Sequence, residues 1–322
     1  MTETAEILNL TVPEELAGKR LDQALAELVA DQSRAQLQQW IRDGRVLVGG
    51  KALKQRERMK GGELLEVRVP VPAPVDDWQP EALELDIIYE DDEILVLNKP
   101  VGLVVHPGAG NQAGTLLNAL IAHHPPLATL ARAGIVHRLD KNTSGLMVVS
   151  KTERSRLSLI DQLQERTVSR EYMAVVNGQM VAGGKVNEPI GRHPKDRVRM
   201  AVKHQGGKPA VTHYRVEEKF RIHTLVRASL ETGRTHQIRV HMTHINHPLV
   251  GDQVYGGRLR LPKACTEHLA EQLRGFKHQA LHACRLSLIH PGTGESMSWE
   301  VPMPADMVAL IEALREDTRQ HS

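Results

Sequence analysis

The sequence has little of what usually marks a nucleic-acid binder. Of its 322 residues only 3% are aromatic, and the net charge is +2. Read as averages, both values argue against a protein that stacks bases or binds a polyanion.

Signals of secretion, membrane insertion and metal or nucleotide binding are also missing. The two cysteines cannot form a disulfide framework, and no CxxC pair is available for zinc. The N-terminus has no basic segment followed by an apolar core, and no apolar run reaches the roughly 18 residues of a membrane span. No Walker A motif is present, and the glycines of 108–114 are spaced GxGxxxG rather than GxGxxG. We therefore expect a cytoplasmic protein without a membrane segment or a cofactor.

The near-neutral charge is the sum of two opposite segments. Residues 75–93 contain nine acids and no Lys or Arg, whereas residues 191–240 contain twelve bases and four acids, a net charge of +8. Segregation of this kind points to a polyanionic partner, and we expect the basic stretch to follow phosphates.

The composition along the chain predicts two domains. Residues 12–75 carry many bases and read as a small α/β unit with two helices, the second capped at Ser33, and a hairpin turning at Gly49-Gly50. A short linker over 76–82 follows, in a stretch rich in proline. Residues 83–320 form the larger domain.

The larger domain is predicted to be α+β with a mixed, mostly antiparallel sheet, because its strands outnumber its helices and do not alternate with them. The predicted strands are 94–97, 146–149, 172–176, 211–216, 224–230 and 284–289, and the predicted helices are 115–123, 153–165 and 306–316.

Four histidines, at 236, 241, 244 and 247, crowd one segment. A metal site is conceivable, but the spacing is not HExxH and no nearby acid completes a ligand set. The apolar stripe of Ile238, Met242 and Ile245 favours a core helix capped at Thr235, with the histidines on its solvated side. We expect no metal.

Two polar loops are the most informative segments. In 134–145, Asp140 lies between Arg138 and Lys141, either as an ordinary turn residue or as a functional carboxylate held beside cations. In 231–239, Arg234 follows a glycine, and a buried arginine there needs a carboxylate partner. Asp140 is the predicted partner.

These loops resemble the motifs of a known family. His137-Arg138-Leu139-Asp140-Lys141-Asn142-Thr143-Ser144-Gly145 is similar to the HRLDxxTSG signature of the RluA-type pseudouridine synthases, and 233–241 to that family's second hallmark. Asn98-Lys99-Pro100 with Gly102 and His106-Pro107 resembles its NKPxGxxxHP element. Arg20-Leu21-Asp22, Ser33-Arg34 and 44–48 resemble an S4 RNA-binding module.

The resemblance implies a role for each matching residue. Asp140 would be the catalytic aspartate, Arg234 its salt-bridge partner, and Tyr172 the ring that stacks on the target base. Arg138 would hold the place of the extruded nucleotide. The other implied RNA-binding residues are Arg20, Arg34, Arg45, Lys99, His106 and Arg239.

The implied reaction is the isomerisation of uridine to pseudouridine, without cofactor or metal. The resemblance implies a monomer acting on large-subunit (23S) rRNA or a precursor large ribosomal subunit, in the helix 69 stem-loop. Asp140 could attack C1′, add to C6 or remove a proton from C2′. The alternatives are a non-catalytic RNA-binding or assembly protein and a metal-dependent hydrolase using the histidines.

Overall fold

The computed structural model describes residues 4–29, 32, 34–70, 78–108, 110–196 and 198–321. Ser33, the predicted helix cap, and residues 76 and 77 of the predicted linker lie outside them. No helix among the described residues is long and apolar enough to cross a membrane.

The N-terminal part folds as two helices beside an antiparallel sheet with strand order β1-β4-β2-β3. Its elements are β1 Thr4–Thr11, α1 Leu21–Leu28, α2 Arg34–Arg42, β2 Val46–Val48, β3 Lys51–Ala52 and β4 Leu64–Pro70. The predicted helices and hairpin are confirmed, and Gly49 and Gly50 turn the hairpin with positive φ angles of 53° and 79°. The outer strand β1 and its partner β4 were not predicted.

The rest of the described chain is organised by one nine-stranded sheet and a two-stranded ribbon. The elements are β5 Ile87–Glu90, β6 Ile94–Lys99, α3 Leu116–His123, β7 Ser144–Ser150, α4 Glu153–Glu165, β8 Ser169–Asn177, β9 Gly184–Asn187, β10 Ile190–Arg192, β11 Met200–Val202, β12 Val211–Lys219, β13 His223–Leu230, α5 Gln237–His244, α6 Glu267–Gly275, β14 Leu281–Ile289, β15 Ser296–Glu300 and α7 Ala305–Gln320.

The large sheet has the order β5-β6-β7-β14-β8-β13-β12-β9, and β15 also pairs with β14. Every pairing in it is antiparallel except that of β7 with β14. The α+β prediction with a mixed, mostly antiparallel sheet is therefore confirmed, and all six predicted strands and three predicted helices are present.

Strand β8 is buried on both faces and so organises two cores. Tyr172 and Val176 face a cluster that includes Ile238 of α5, whereas Met173 and Val175 face a cluster formed with α6 and α7. This alternation follows from the two-residue period of a strand. It also means that Arg170, two residues before Tyr172, lies on the same face as Tyr172.

The start of α5 differs from the prediction. The helix is capped by His236, whose φ of 57° is left-handed, and not by Thr235. The prediction that the histidines lie on the solvated side is wrong for His241, which is fully buried and bonded to Thr212 Oγ1 and the carbonyl of Glu188. Core polar residues of this kind are stable because every ring nitrogen has a partner.

Gly145, at the start of β7 and just after the loop that carries Asp140, is packed closely against the neighbouring strand. Its φ is 113°, and a Cβ built on it would overlap the backbone of Ala283 on the parallel neighbour β14. The parallel pairing of β7 and β14 therefore requires a glycine here.

We expect Gly145→Ala to reduce the free energy of unfolding by about 2–4 kcal/mol, since it adds overlap to backbone strain. The matched control is Gly294→Ala, which has a φ of 76° but no atom within 4 Å of the added Cβ. It should lose only about 1–2 kcal/mol. Urea unfolding measures both, and equal losses would contradict the close packing.

Candidate active site

The polar loops and strand β8 meet around one cavity of about 890 Å³. The loop before β7 contributes Arg138 and Asp140, β8 contributes Arg170 and Tyr172, and the residues from Leu230 to Arg239 form the opposite wall. The sheet order explains this meeting, because β7, β14, β8 and β13 are successive neighbours.

Arg239 is the residue that holds Asp140. Its Nη1 donates to Asp140 Oδ2 at 2.9 Å, while its Nε and Nη2 donate to Asp252 Oδ2 and Oδ1 at 2.7 and 2.9 Å. Arg239 and Asp252 are 5% and 4% exposed. Each of the three guanidinium nitrogens therefore donates to its own carboxylate oxygen. These bonds fix the rotamers of all three side chains.

The predicted pairing of Arg234 with Asp140 is therefore wrong. Arg234 is exposed, and its Nε donates to the carbonyl of Pro209 at 3.1 Å. The physical reason is the position of α5: Arg239 lies on its buried first turn, whereas Arg234 precedes the helix in an exposed loop. The sequence feature that could have indicated this buried ion pair is the position of Arg239 between the apolar residues Ile238 and Val240.

Asp252 was not predicted as part of the site. Besides pairing with Arg239, its Oδ1 accepts hydrogen bonds from the backbone N–H groups of Val254 and Tyr255. Burial raises the pKa of Asp252, but the bonds from Arg239 and from this turn outweigh burial and leave it below its usual value. Asp252 is therefore an anion that anchors Arg239.

His236 and Tyr255 form a second chain of contacts to Asp140. The Tyr255 hydroxyl accepts from the backbone N–H of Met200 at 2.7 Å and lies 2.9 Å from His236 Nδ1. Nε2 lies 3.9 Å from Asp140 Oδ1. Burial lowers the pKa of His236 despite the charge of Asp140, so the ring that faces this carboxylate is neutral.

Tyr172 lines the same cavity as Asp140 and is 5% exposed. Burial raises the pKa of its phenol, so the ring stays neutral. Its predicted role as the stacking surface stays a prediction.

Two residues predicted to bind RNA are buried and fully engaged. Lys99 is 0% exposed, and its Nζ donates to the carbonyls of Pro100, Leu103 and Lys141 at 2.8, 3.0 and 3.1 Å. Arg239 is held by its two carboxylates. The prediction that these two contact RNA is corrected: Lys99 ties the turn after β6 to the Asp140 loop instead.

The remaining predicted RNA-binding residues have access to solvent. Arg138 is exposed and His106 half-buried, and both line the cavity. Burial lowers the pKa of His106 to about 4, helped by the charges of Arg132 and Arg138. In the N-terminal part Arg20 pairs with Asp22, Arg34 is exposed and Arg45 is half-buried.

Several described bases of the stretch 191–240 are engaged within the protein and are not part of a shared phosphate-binding face. Arg215, Arg221 and Arg227 pair with acids of the chain, and Arg239 is buried. Of its described bases only Arg234 and Arg239 line the cavity. The cavity instead draws its exposed arginines from several segments, which include Arg132, Arg138 and Arg166.

The burial of Lys99 predicts a pH effect. Burial lowers its pKa from 10.5 to about 7, against the opposing charge of Asp140. Between these values the unfolded chain binds more protons than the folded one, so stability rises with pH. Relative to Lys99→Met, the native protein should gain about 3 kcal/mol of unfolding free energy between pH 7 and 10. If the unfolding free energies of the two proteins change in parallel with pH, Lys99 keeps an ordinary pKa and the prediction is wrong.

Comparison with known proteins identifies the family. A family model described as RNA pseudouridylate synthase matches residues 93–244, and an S4 domain model matches residues 19–65. The chain is 55% identical over 315 residues to "Ribosomal large subunit pseudouridine synthase D" of Escherichia coli (strain K12), covering 98% of this chain and 96% of the relative. The protein of the same name from Vibrio parahaemolyticus is 53% identical over 319 residues, with coverages of 98% and 97%.

A solved structure agrees. "Human RNA Pseudouridylate Synthase Domain Containing 4" superposes with a TM-score of 0.55 at 26% identity, covering 71% of this chain and 92% of that one. The chain therefore belongs to the RNA pseudouridylate synthase family, as an isomerase with an N-terminal S4 domain.

Proposed function

We propose that this enzyme converts specific uridines of large-subunit (23S) rRNA to pseudouridine, in the loop of helix 69. The observation that carries the proposal is the Asp140 carboxylate, oriented by Arg239 in the cavity that Tyr172 also lines. The names of the relatives, which specify the large ribosomal subunit, support the choice of RNA.

The reaction needs an extruded base and one carboxylate. The N1–C1′ bond of uridine breaks, C5 bonds to C1′, and the proton of C5 is replaced by one gained at N1. The atoms balance without water or a redox partner. Attack at C1′, addition to C6 and removal of a C2′ proton each start from the Asp140 carboxylate, and the charge of Arg239 at 2.9 Å supports all three routes.

Base extrusion costs a few kcal/mol of stacking and pairing. Stacking on Tyr172 returns roughly 1–3 kcal/mol of it. Arg138, exposed at the edge of the cavity, fills the place that the base leaves, and the exposed Arg132, Arg166 and Arg234 contact phosphates.

The S4 domain adds affinity and selects the stem-loop. Arg20, Arg34 and Arg45 are its proposed RNA contacts, and Arg42, Lys54 and Arg56 of the same domain line a groove of about 490 Å³. We propose further that the enzyme acts as a cytoplasmic monomer on free rRNA or on a precursor large subunit. Cys265 and Cys284 are free thiols, as suits a reducing compartment.

The test of this function is a pseudouridine map of rRNA from cells with and without the protein. We expect helix 69 pseudouridines to disappear when the protein is deleted and to return with the native gene. Loss at other positions, with helix 69 unchanged, would contradict the proposed target.

We expect Asp140→Asn to reduce kcat by at least about 10³-fold, because the amide cannot act as a carboxylate. RNA affinity should stay near that of the native enzyme. The control is Asp161→Asn, an exposed acid of α4 that does not line the cavity. Release of tritium from RNA containing 5-tritiated uridine measures turnover, and a fully active Asp140→Asn enzyme would exclude the mechanism.

Arg239 and Arg234 should differ when each is replaced by Met. Arg239→Met leaves the buried Asp252 unpaired, so it should cost about 3–5 kcal/mol of stability and most of the activity. Arg234→Met keeps the Asp140 ion pair, so kcat should stay within about tenfold, while the slope of log affinity against log salt falls by about 1. The opposite ranking of the two kcat values would restore Arg234 as the partner of Asp140.

A further inference from the structure

The cavity contains a second buried arginine, whose side chain forms no ion pair with any described residue. Arg170 on β8 is 7% exposed and its Nε is sealed from solvent without a hydrogen-bond acceptor. Among the described residues no carboxylate pairs with its guanidinium. Arg239, which lines the same cavity and is 5% exposed, binds two carboxylates.

An unpaired buried cation is costly, and proteins normally avoid it. The two carboxylates that line the cavity, Asp140 and Glu231, are already paired with other residues. Glu231 at the cavity edge is shared by Arg166, His213 and Lys185. The charge of Arg170 adds to burial in lowering the pKa of His137 to about 3, so this neighbour is neutral. Within the described part of the chain, the positive charge of Arg170 therefore lacks a counter-ion.

The guanidinium is placed where a ligand can reach it. A Cβ on Gly233 would lie 2.7 Å from Arg170 Nη1, so the group lies directly under an exposed glycine in the wall of the cavity. The lack of a side chain at Gly233 leaves room for the guanidinium.

We propose that Arg170 binds a backbone phosphate of the RNA, and that this phosphate adjoins the nucleotide whose base stacks on Tyr172. Two residues along one face of a strand are separated by roughly 7 Å. A single nucleotide can span this distance between its base and its phosphate. A phosphate is the only anion that RNA carries, and arginine binds it with two parallel N–H bonds.

The inference rests on the proposed function and concerns the same cavity. It makes Arg170 a substrate-binding residue that trades stability of the free enzyme for affinity. The missing counter-ion arrives with the substrate, so the cost of burying Arg170 is recovered only when RNA binds.

The experiment pairs Arg170→Met with an RNA that lacks one phosphate charge. Stem-loops are prepared with a single neutral methylphosphonate linkage on the 5′ or the 3′ side of the target uridine. For one of these linkages we expect the native enzyme to lose about 10- to 100-fold in affinity. Arg170→Met should lose a similar factor on the unmodified RNA and nothing further on the modified one.

Arg319→Met, an exposed arginine of α7 that does not line the cavity, controls for the loss of one charge and should respond to the linkage as the native enzyme does. Without RNA, Arg170→Met should raise the Tm by a few degrees, because it removes the unpaired charge. The proposal is overturned if Arg170→Met lowers the Tm and if its affinity loss multiplies with the loss caused by the neutral linkage. Arg170 would then be a structural residue.

Two further outcomes are distinguishable. In the first, the affinity losses from Arg170→Met and from the methylphosphonate multiply at both linkages, but the loss from Arg170→Met disappears with a target uridine analogue that lacks a ring carbonyl. Arg170 then binds the base, and the phosphate assignment is overturned. Turnover of the unmodified stem-loop by the native enzyme tests the proposed function separately. Its failure would not depend on Arg170.

Discussion

The charge of Arg239 is the constraint on which the active site depends. It is buried, so it must be paired, and it is paired twice, with Asp140 and with Asp252. Asp252 is itself fixed by two backbone N–H groups, so the loop after α5 determines where the guanidinium points. Asp140 then accepts from Nη1, the one guanidinium nitrogen that Asp252 does not use. The proposed catalytic carboxylate is thus oriented by a turn more than a hundred residues away in sequence.

The sheet supplies the second part of the arrangement. The order β7-β14-β8-β13 brings the loop before β7 next to the residues of β8 and to the segment that follows β13. The alternation of β8 then gives one face to the core of α6 and α7 and the other to the cavity, where Tyr172 and Arg170 lie. The two buried arginines of the cavity differ in whether the protein neutralises their charge. Arg239 is neutralised by the protein and orients a carboxylate, whereas Arg170 keeps a charge that, on our proposal, only the RNA neutralises.

Local signals predicted the elements well. Helix α4 was predicted at 153–165 and occurs at Glu153–Glu165, because Thr152 and Ser155 form a capping box and Arg166 ends the helix in a left-handed conformation. Buried strands such as Ile94–Lys99 were visible as apolar runs. The motif around Asp140 and the S4-like residues led to the family.

Partners in three dimensions were not predictable in the same way. The motif 233–241 contains two arginines, and only the second one lies on the buried first turn of α5 and reaches Asp140. Lys99 carries a charge that suggests RNA contact, yet three carbonyls from separate positions in sequence enclose it. Asp252 has no motif of its own. Each depends on contacts between distant segments, which periodicity and composition do not contain.

The most direct measurement is a crystal structure of the enzyme bound to a stem-loop that carries 5-fluorouridine at the target position, where fluorine replaces the hydrogen that must leave C5. We expect the base to be extruded and stacked on Tyr172, with its ribose beside Asp140 and the Asp140–Arg239 pair intact. A base that remains stacked in the RNA, or an Asp140 that pairs with Arg234 once RNA is bound, would contradict this account of the site.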